Sequence, residues 1–178
     1  MRPSWFMKRV IEKTIALLRY MKLWVIYKPK GLVTVLGKVY LNNPNIRFGS
    51  NVTLYPNVHI FGQGRVTLED NVSIGDGTII CAAEDITIGK NTMIAAQCYI
   101  IDCNHGMHLG GGYMREQPVS VHPTKIGKDV WLGCGCKILA GTKVSDGAVI
   151  GAGTVLSGTV EKNTICFTKR EYCQKVRI

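Results

Sequence analysis

Acidic side chains are scarce in this 178-residue chain: 12 Asp and Glu stand against 22 Lys and Arg, a net charge of +10. The excess is local, because residues 1–30 hold eight basic residues and a single acid, Glu12. A nucleic-acid binder would carry its cations on the folded domain beside aromatic platforms or a recognisable module, so nucleic acid is excluded as an expected partner. Also missing is an unbroken apolar run of the roughly 20 residues that a bilayer-spanning helix needs. No small-residue cleavage site follows the first apolar stretch, so a secretory signal is not expected either. The seven cysteines (81, 98, 103, 134, 136, 166 and 173) form no Cys-x-x-Cys pair. They are expected to be free thiols of a reducing, cytoplasmic setting, with Cys81 and Cys98 as small core or near-core residues. No phosphate-binding glycine loop before a helix, Ser-His-Asp set or paired-carboxylate site is evident.

Residues 1–30 form a basic segment with helical patterning. At 100° per residue, Phe6, Met7, Val10, Ile11, Leu17, Leu18, Met21, Trp24 and Val25 fall on one arc, and Lys8, Arg9, Glu12, Lys13, Arg19 and Lys22 on the other. That is an amphipathic helix, with Pro3 and Ser4 before it and Pro29 and Gly31 marking its end. Two roles are open to it: a cap over the end of the following domain, which is the simpler reading, or peripheral membrane contact through residues 5–25.

Residues 31–165 are expected to be one domain built on a period of six. From Ile126 an aliphatic residue returns at Leu132, Ile138, Val144, Ile150 and Leu156, with glycine after Ile126, Leu132 and Ile150. A helix would scatter such residues around its circumference, whereas a three-sided coil of short strands puts each at an equivalent inward corner. The period is therefore a sign of a parallel β-helix. Upstream it continues through Phe48, Leu54 and Ile60, then Leu68, Ile74, Ile80 and Ile86, then Ile88, Ile94 and Ile100, with two shifts of two residues. Between Ile100 and Ile126 it is lost, which predicts a loop over 102–125 thrown out from the scaffold, the kind of place where function tends to sit. Residues 166–178 read as a C-terminal tail.

The loop opens Ile101-Asp-Cys-Asn-His105-Gly-Met-His108, and the chain returns through Ile126-Gly-Lys-Asp-Val-Trp-Leu-Gly133, Ala140-Gly-Thr-Lys-Val144 and Val149-Ile-Gly-Ala-Gly-Thr154. Together with the ladder, these segments resemble the hexapeptide-repeat, left-handed β-helix acyltransferases over roughly residues 42–160, and within them the maltose/galactoside and polysaccharide-modifying sugar O-acetyltransferases. The resemblance implies a mainly β fold, acetyl-CoA as co-substrate, a saccharide acceptor and a homotrimer. It implies His105 as general base, and the chemistry agrees: an imidazole of pKa about 6.5 can take a hydroxyl proton as the oxygen attacks a thioester. Asp102 or Asn104 would orient the ring, Asp102 being favoured. Gly133, Cys134, Ala152 and Ser157 would line the CoA site, where small residues let a ligand approach the backbone, and an amide near Gly133 or Cys134 would steady the developing oxyanion. Trp131 would wall the site, with Arg115 and His108 near the acceptor.

Other readings stay open at this stage. Transfer to an amine of an amino sugar or antibiotic-type acceptor uses the same parts. Three histidines can hold a catalytic zinc, as in γ-class carbonic anhydrases of this fold, but His59 lies far upstream of His108 and His122 and the ladder has no later histidine; no metal site is expected. A non-catalytic β-helix subunit would have no need of the loop. The C-terminus departs from the family's usual ending, which leaves Lys169, Arg170, Lys175 and Arg177 as candidates by charge for the CoA phosphates.

Overall fold

A computed structural model describes residues 5–169. The chain forms a left-handed parallel β-helix of about 7 turns preceded by one helix, α1 (Trp5–Tyr27). Its three flat faces are parallel sheets. Face I begins at Val33–Val35 and ends at Ile165–Cys166, face II runs from Tyr40–Asn42 to Val155–Leu156, and face III from Ile46–Phe48 to Thr159–Val160. The ladder residues sit at the inward ends of these short strands, just before each corner. Leu54, Ile74, Leu132 and Ile150 stack on face I, Ile60, Ile80, Ile100 and Ile138 on face II, and Leu68, Ile88 and Ile126 on face III, all fully buried. Burying each contributes about 1.5–3 kcal/mol, and the column is continuous because every coil repeats the same inward positions.

The breaks in the period share one location. Along face III, Phe48 pairs with Leu68, Leu68 with Ile88, Ile88 with Ile126 and Ile126 with Val144, steps of 20, 20, 38 and 18 residues. Eighteen is the plain coil of three hexads. The additions all fall at the corner between faces II and III, after Ile60, Ile80 and Ile100. Two coils widen that corner by two residues each, and the third extrudes the loop there.

The other corners are held by polar side chains that no hexad count reveals. At the corner between faces III and I, Asn51, Asn71 and Asn91 adopt φ of 58°, 60° and 60°, a conformation that asparagine tolerates better than most residues. Their amides form a ladder, Asn51 Nδ2 donating to Asn71 Oδ1 at 3.0 Å and Asn71 Nδ2 to Asn91 Oδ1 at 2.8 Å. Buried Thr78, Thr92 and Thr142 donate their hydroxyls to corner carbonyls at 3.0, 2.8 and 2.6 Å, so turn backbone inside the coil keeps its hydrogen bonds.

The expected helix is present, and it caps the first coil with a side other than its apolar arc. Leu23 is buried, Tyr20 and Tyr27 pack beside it, and the Tyr27 hydroxyl donates to the Leu41 and Asn43 carbonyls at 3.1 and 3.0 Å. The Tyr27 ring meets Phe48 edge-on at 5.6 Å. No helix among the described residues is long and apolar enough to cross a membrane.

Candidate active site

The loop is better ordered than its composition suggests. Cys103–Asn104 pairs antiparallel with Ser120–Val121, so the chain leaves and re-enters the scaffold as a two-stranded ribbon. His105 is the first residue beyond that ribbon, exposed to solvent. Its imidazole makes none of the described hydrogen bonds. Gly106 behind it is buried, and a Cβ there would meet Gln117 Cβ at 2.6 Å and Pro118 O at 2.8 Å. Gln117, itself buried, accepts from the His108 N–H at 2.9 Å and donates to the His108 and Gly112 carbonyls at 3.0 and 3.1 Å. One side chain thus gathers both limbs of the loop. Sequence reasoning missed it, because a lone glutamine in a glycine-rich stretch carries no signal of its own.

Asp102 makes other contacts than the one expected. It is fully buried, and Oδ1 accepts from the Ala83 N–H at 2.7 Å while Oδ2 accepts from Glu84 and Asp85 N–H at 2.8 and 2.7 Å. These amides belong to the widened corner of the coil below. None of the described hydrogen bonds joins Asp102 to the His105 ring, so its orienting role has no geometric support; the carboxylate instead bolts the root of the loop to the scaffold. Asn104 lies exposed next to His105, its backbone paired with Ser120. Beside the root, Cys81 and Cys103 sit half-buried at the edge of face II. Burial, and then the Cys103 and Asp102 charges, push the Cys81 thiol up to about 11. Cys81 faces outward and is not a core residue, whereas Cys98 is buried as expected.

The residues expected to meet CoA divide between two corners. Between faces I and II, Gly133-Cys134-Gly135 stacks on Gly151-Ala152-Gly153, with Cys134 and Ala152 exposed. A Cβ on Gly133 would lie 2.6 Å from the Ala152 nitrogen, so the close stacking requires glycine. From within, the Cys98 thiol donates to the Gly133 carbonyl at 3.3 Å and the Cys136 thiol to the Gly151 carbonyl at 3.2 Å. The Gly133, Gly135, Gly151 and Gly153 amides donate between coils. The Cys134 and Ala152 amides take no part in that ladder, so of the two oxyanion candidates Gly133 is already engaged. Ser157 lies one face away, at the corner from which the loop departs two coils earlier.

Trp131 is on face I, half exposed, between Met93 and Val149. In a three-sided coil face I lies opposite the loop's corner, so one chain does not bring Trp131 to His105. Arg115 sits in a single 3-10 turn, Met114–Glu116, exposed at the loop tip, and His108 is likewise exposed. His59 lies on the outer side of face II against the Tyr40 ring, 4.1 Å between centroids. Among the described residues no three His, Cys, Asp or Glu side chains gather as metal ligands. Lys169 is exposed at the end of the described residues; Arg170, Lys175 and Arg177 lie outside them.

Comparisons with known proteins agree with this architecture. Residues 123–158 match the family described as bacterial transferase hexapeptide (six repeats). WbbJ of Escherichia coli (strain K12), named for O-acetyl transfer in lipopolysaccharide biosynthesis, is 33% identical over 133 residues, 70% of this chain and 68% of its own. A protein of Mycobacterium tuberculosis named as an acetyltransferase is 32% identical over 68 residues, of which the chain spans 23% of that protein's length. Among solved structures, a mutant of AntD, an N-acyltransferase from Bacillus cereus, in complex with dTDP-4-amino-4,6-dideoxyglucose and coenzyme A, superposes with a TM-score of 0.72 at 16% identity, covering 90% of this chain and 89% of that one. A maltose O-acetyltransferase from Clostridium difficile 630 gives 0.56 at 22% identity, over 84% and 70%. At these identities the structural likenesses speak to the fold alone.

Proposed function

The chain belongs to the bacterial hexapeptide-repeat transferase family, and on that premise we propose that it moves an acetyl group from acetyl-CoA to a hydroxyl of a sugar, within a cell-envelope polysaccharide or its precursor. The observation that carries this reading is His105: an exposed imidazole held on a clamped ribbon, at the one large break in an otherwise regular scaffold. Acetyl-CoA supplies an activated thioester. His105 takes the proton of the acceptor hydroxyl as its oxygen attacks the carbonyl carbon, the carbon–sulfur bond breaks, and His105 returns the proton to the departing thiolate. The Cys134 amide, outside the coil ladder, is the donor for the developing oxyanion. General-base catalysis of this kind contributes about 10²–10⁴-fold.

The corner residues fit the donor. Cys134 and Ala152 are small, exposed and flanked by glycines, which leaves backbone open along two successive coils where an extended pantetheine arm can lie. The base and the tryptophan lie on opposite sides of one chain, and the loop carries bare apolar side chains at Met107, Leu109, Tyr113 and Met114. Both features support a site completed between copies, with the loop of one laid against face I of the next, as a homotrimer would provide. A CoA donor and free thiols suit the cytoplasm. O-transfer follows the naming of WbbJ. A thiol-release assay with acetyl-CoA across sugars, amino sugars and amines tests it. Release with a sugar that lacks an amine is the expected result, and release with amines alone would replace the hydroxyl with nitrogen as acceptor.

A further inference from the structure

Helix α1 is apolar on two sides, and the β-helix uses only one of them. Tyr20, Leu23 and Tyr27 share the side that packs on the first coil. About a third of a turn further round the helix, Val10, Leu17, Leu18, Met21, Trp24 and Val25 are 47%, 58%, 60%, 53%, 54% and 67% exposed. A monomeric soluble surface seldom keeps so continuous an apolar strip bare. Lys13 stands at one border of the strip and Lys22 at the other by helical position, with Arg19 beyond Lys22. Arg19, Lys22 and Lys38 also surround a cleft of about 330 Å³ between α1 and the first coil, partly walled by Leu23, Ile26 and Val39. Glu12 is the only acid in the helix.

We propose that α1 lies in the interface of an anionic phospholipid bilayer, its free strip among the upper acyl chains and its bordering cations on the lipid phosphates, so that the enzyme works at a membrane surface. The charge pattern selects this occupant over a second copy of the helix. Two such strips packed together would bring Lys13 and Lys22 borders against each other with one acid per helix to offset them, whereas an anionic leaflet meets every border cation with an opposite charge. Long Lys and Arg side chains at the edges of an apolar strip reach headgroups while their stems stay in the apolar layer. Because the capping side is distinct, docking leaves Leu23 and Tyr27 in place and requires no unfolding of the first coil. The helix is too charged to cross the bilayer, so attachment is peripheral and salt-sensitive.

The test is flotation of the full-length protein with vesicles of phosphatidylglycerol and phosphatidylcholine, against vesicles of phosphatidylcholine alone. The expected result is binding to the anionic vesicles that weakens by about tenfold or more when Lys13→Glu and Lys22→Glu are combined, and likewise for Leu17→Ser with Trp24→Ser. Lys13, Leu17 and Trp24 are exposed, and Lys22, exposed too, borders the open cleft without any of the described hydrogen bonds, so melting temperature and turnover on a soluble acceptor should be unchanged. Equal binding to both vesicle types, no binding to either, or retention by both double variants would overturn the proposal. So would an altered oligomeric state in sedimentation with vesicle binding intact, which would give the strip to self-association.

Discussion

Replacing Asp102 separates anchoring from catalysis. Its carboxylate receives three backbone N–H groups from residues 83–85 at 2.7, 2.8 and 2.7 Å, with no exposure to solvent. In Asp102→Asn one oxygen becomes an NH₂ group, a donor facing donors. With the retained oxygen toward Ala83, two amides lose their acceptor; with the amide flipped, one does. Each buried donor left unsatisfied costs about 1–3 kcal/mol, so the structure predicts a loss of about 3 kcal/mol, or roughly 6–12 °C in Tm for a domain of this size. Asp102→Ala should cost at least as much, since no acceptor remains. Thermal melting followed by circular dichroism, paired with steady-state kinetics well below the transition, gives both readouts. A large fall in Tm is expected, with a turnover that recovers most of its value when measured cold. A variant with unchanged Tm and turnover down by about 10⁴-fold, the scale at which loss of a base's orienting carboxylate acts, would refute the reasoning and restore Asp102 as the partner of His105.

Other consequences are as direct. Gln117→Ala removes three hydrogen bonds inside the loop and none between coils; it should leave Tm within about 3 °C while limited proteolysis cuts residues 106–116 and turnover falls more than CoA affinity. Gly133→Val places atoms against the Ala152 backbone, where a Cβ alone would sit at 2.6 Å; a cost of about 1–3 kcal/mol from overpacking and weaker CoA binding by calorimetry are expected. Cys134 is exposed, whereas the Cys81 thiol is half-buried and pushed up to about 11. Iodoacetamide at pH 8 should therefore label Cys134 before Cys81 by mass spectrometry, with CoA protecting Cys134. Cys81 should react appreciably only as pH rises towards 11, because only the thiolate attacks.

The scaffold was legible because a period of six has one economical three-dimensional solution, and each ladder residue from Phe48 to Leu156 is buried where the repeat requires. Even its interruptions carried meaning, since all of them fall at the corner between faces II and III. His105 could be found by contrast with that regularity. The role of Asp102 could not, because its partners are backbone amides some twenty residues upstream, and an amide is invisible in a sequence of side chains. Gln117 and the corner threonines escaped for the same reason. The helical pattern shows one apolar arc and leaves two roles open to it, cap or membrane contact. A capping side of Tyr20, Leu23 and Tyr27 lies outside that arc, and only the packing distinguishes it.

The central claim is that His105 is the base of an acetyl-CoA-dependent transferase. Its most direct test is the rate of CoA thiol release, with the best acceptor of the panel, for the wild-type chain and for His105→Ala, alongside the CoA dissociation constant of each. A fall in turnover of about 10²–10⁴-fold with CoA affinity within about twofold is expected. Comparable turnover in the two proteins would contradict it.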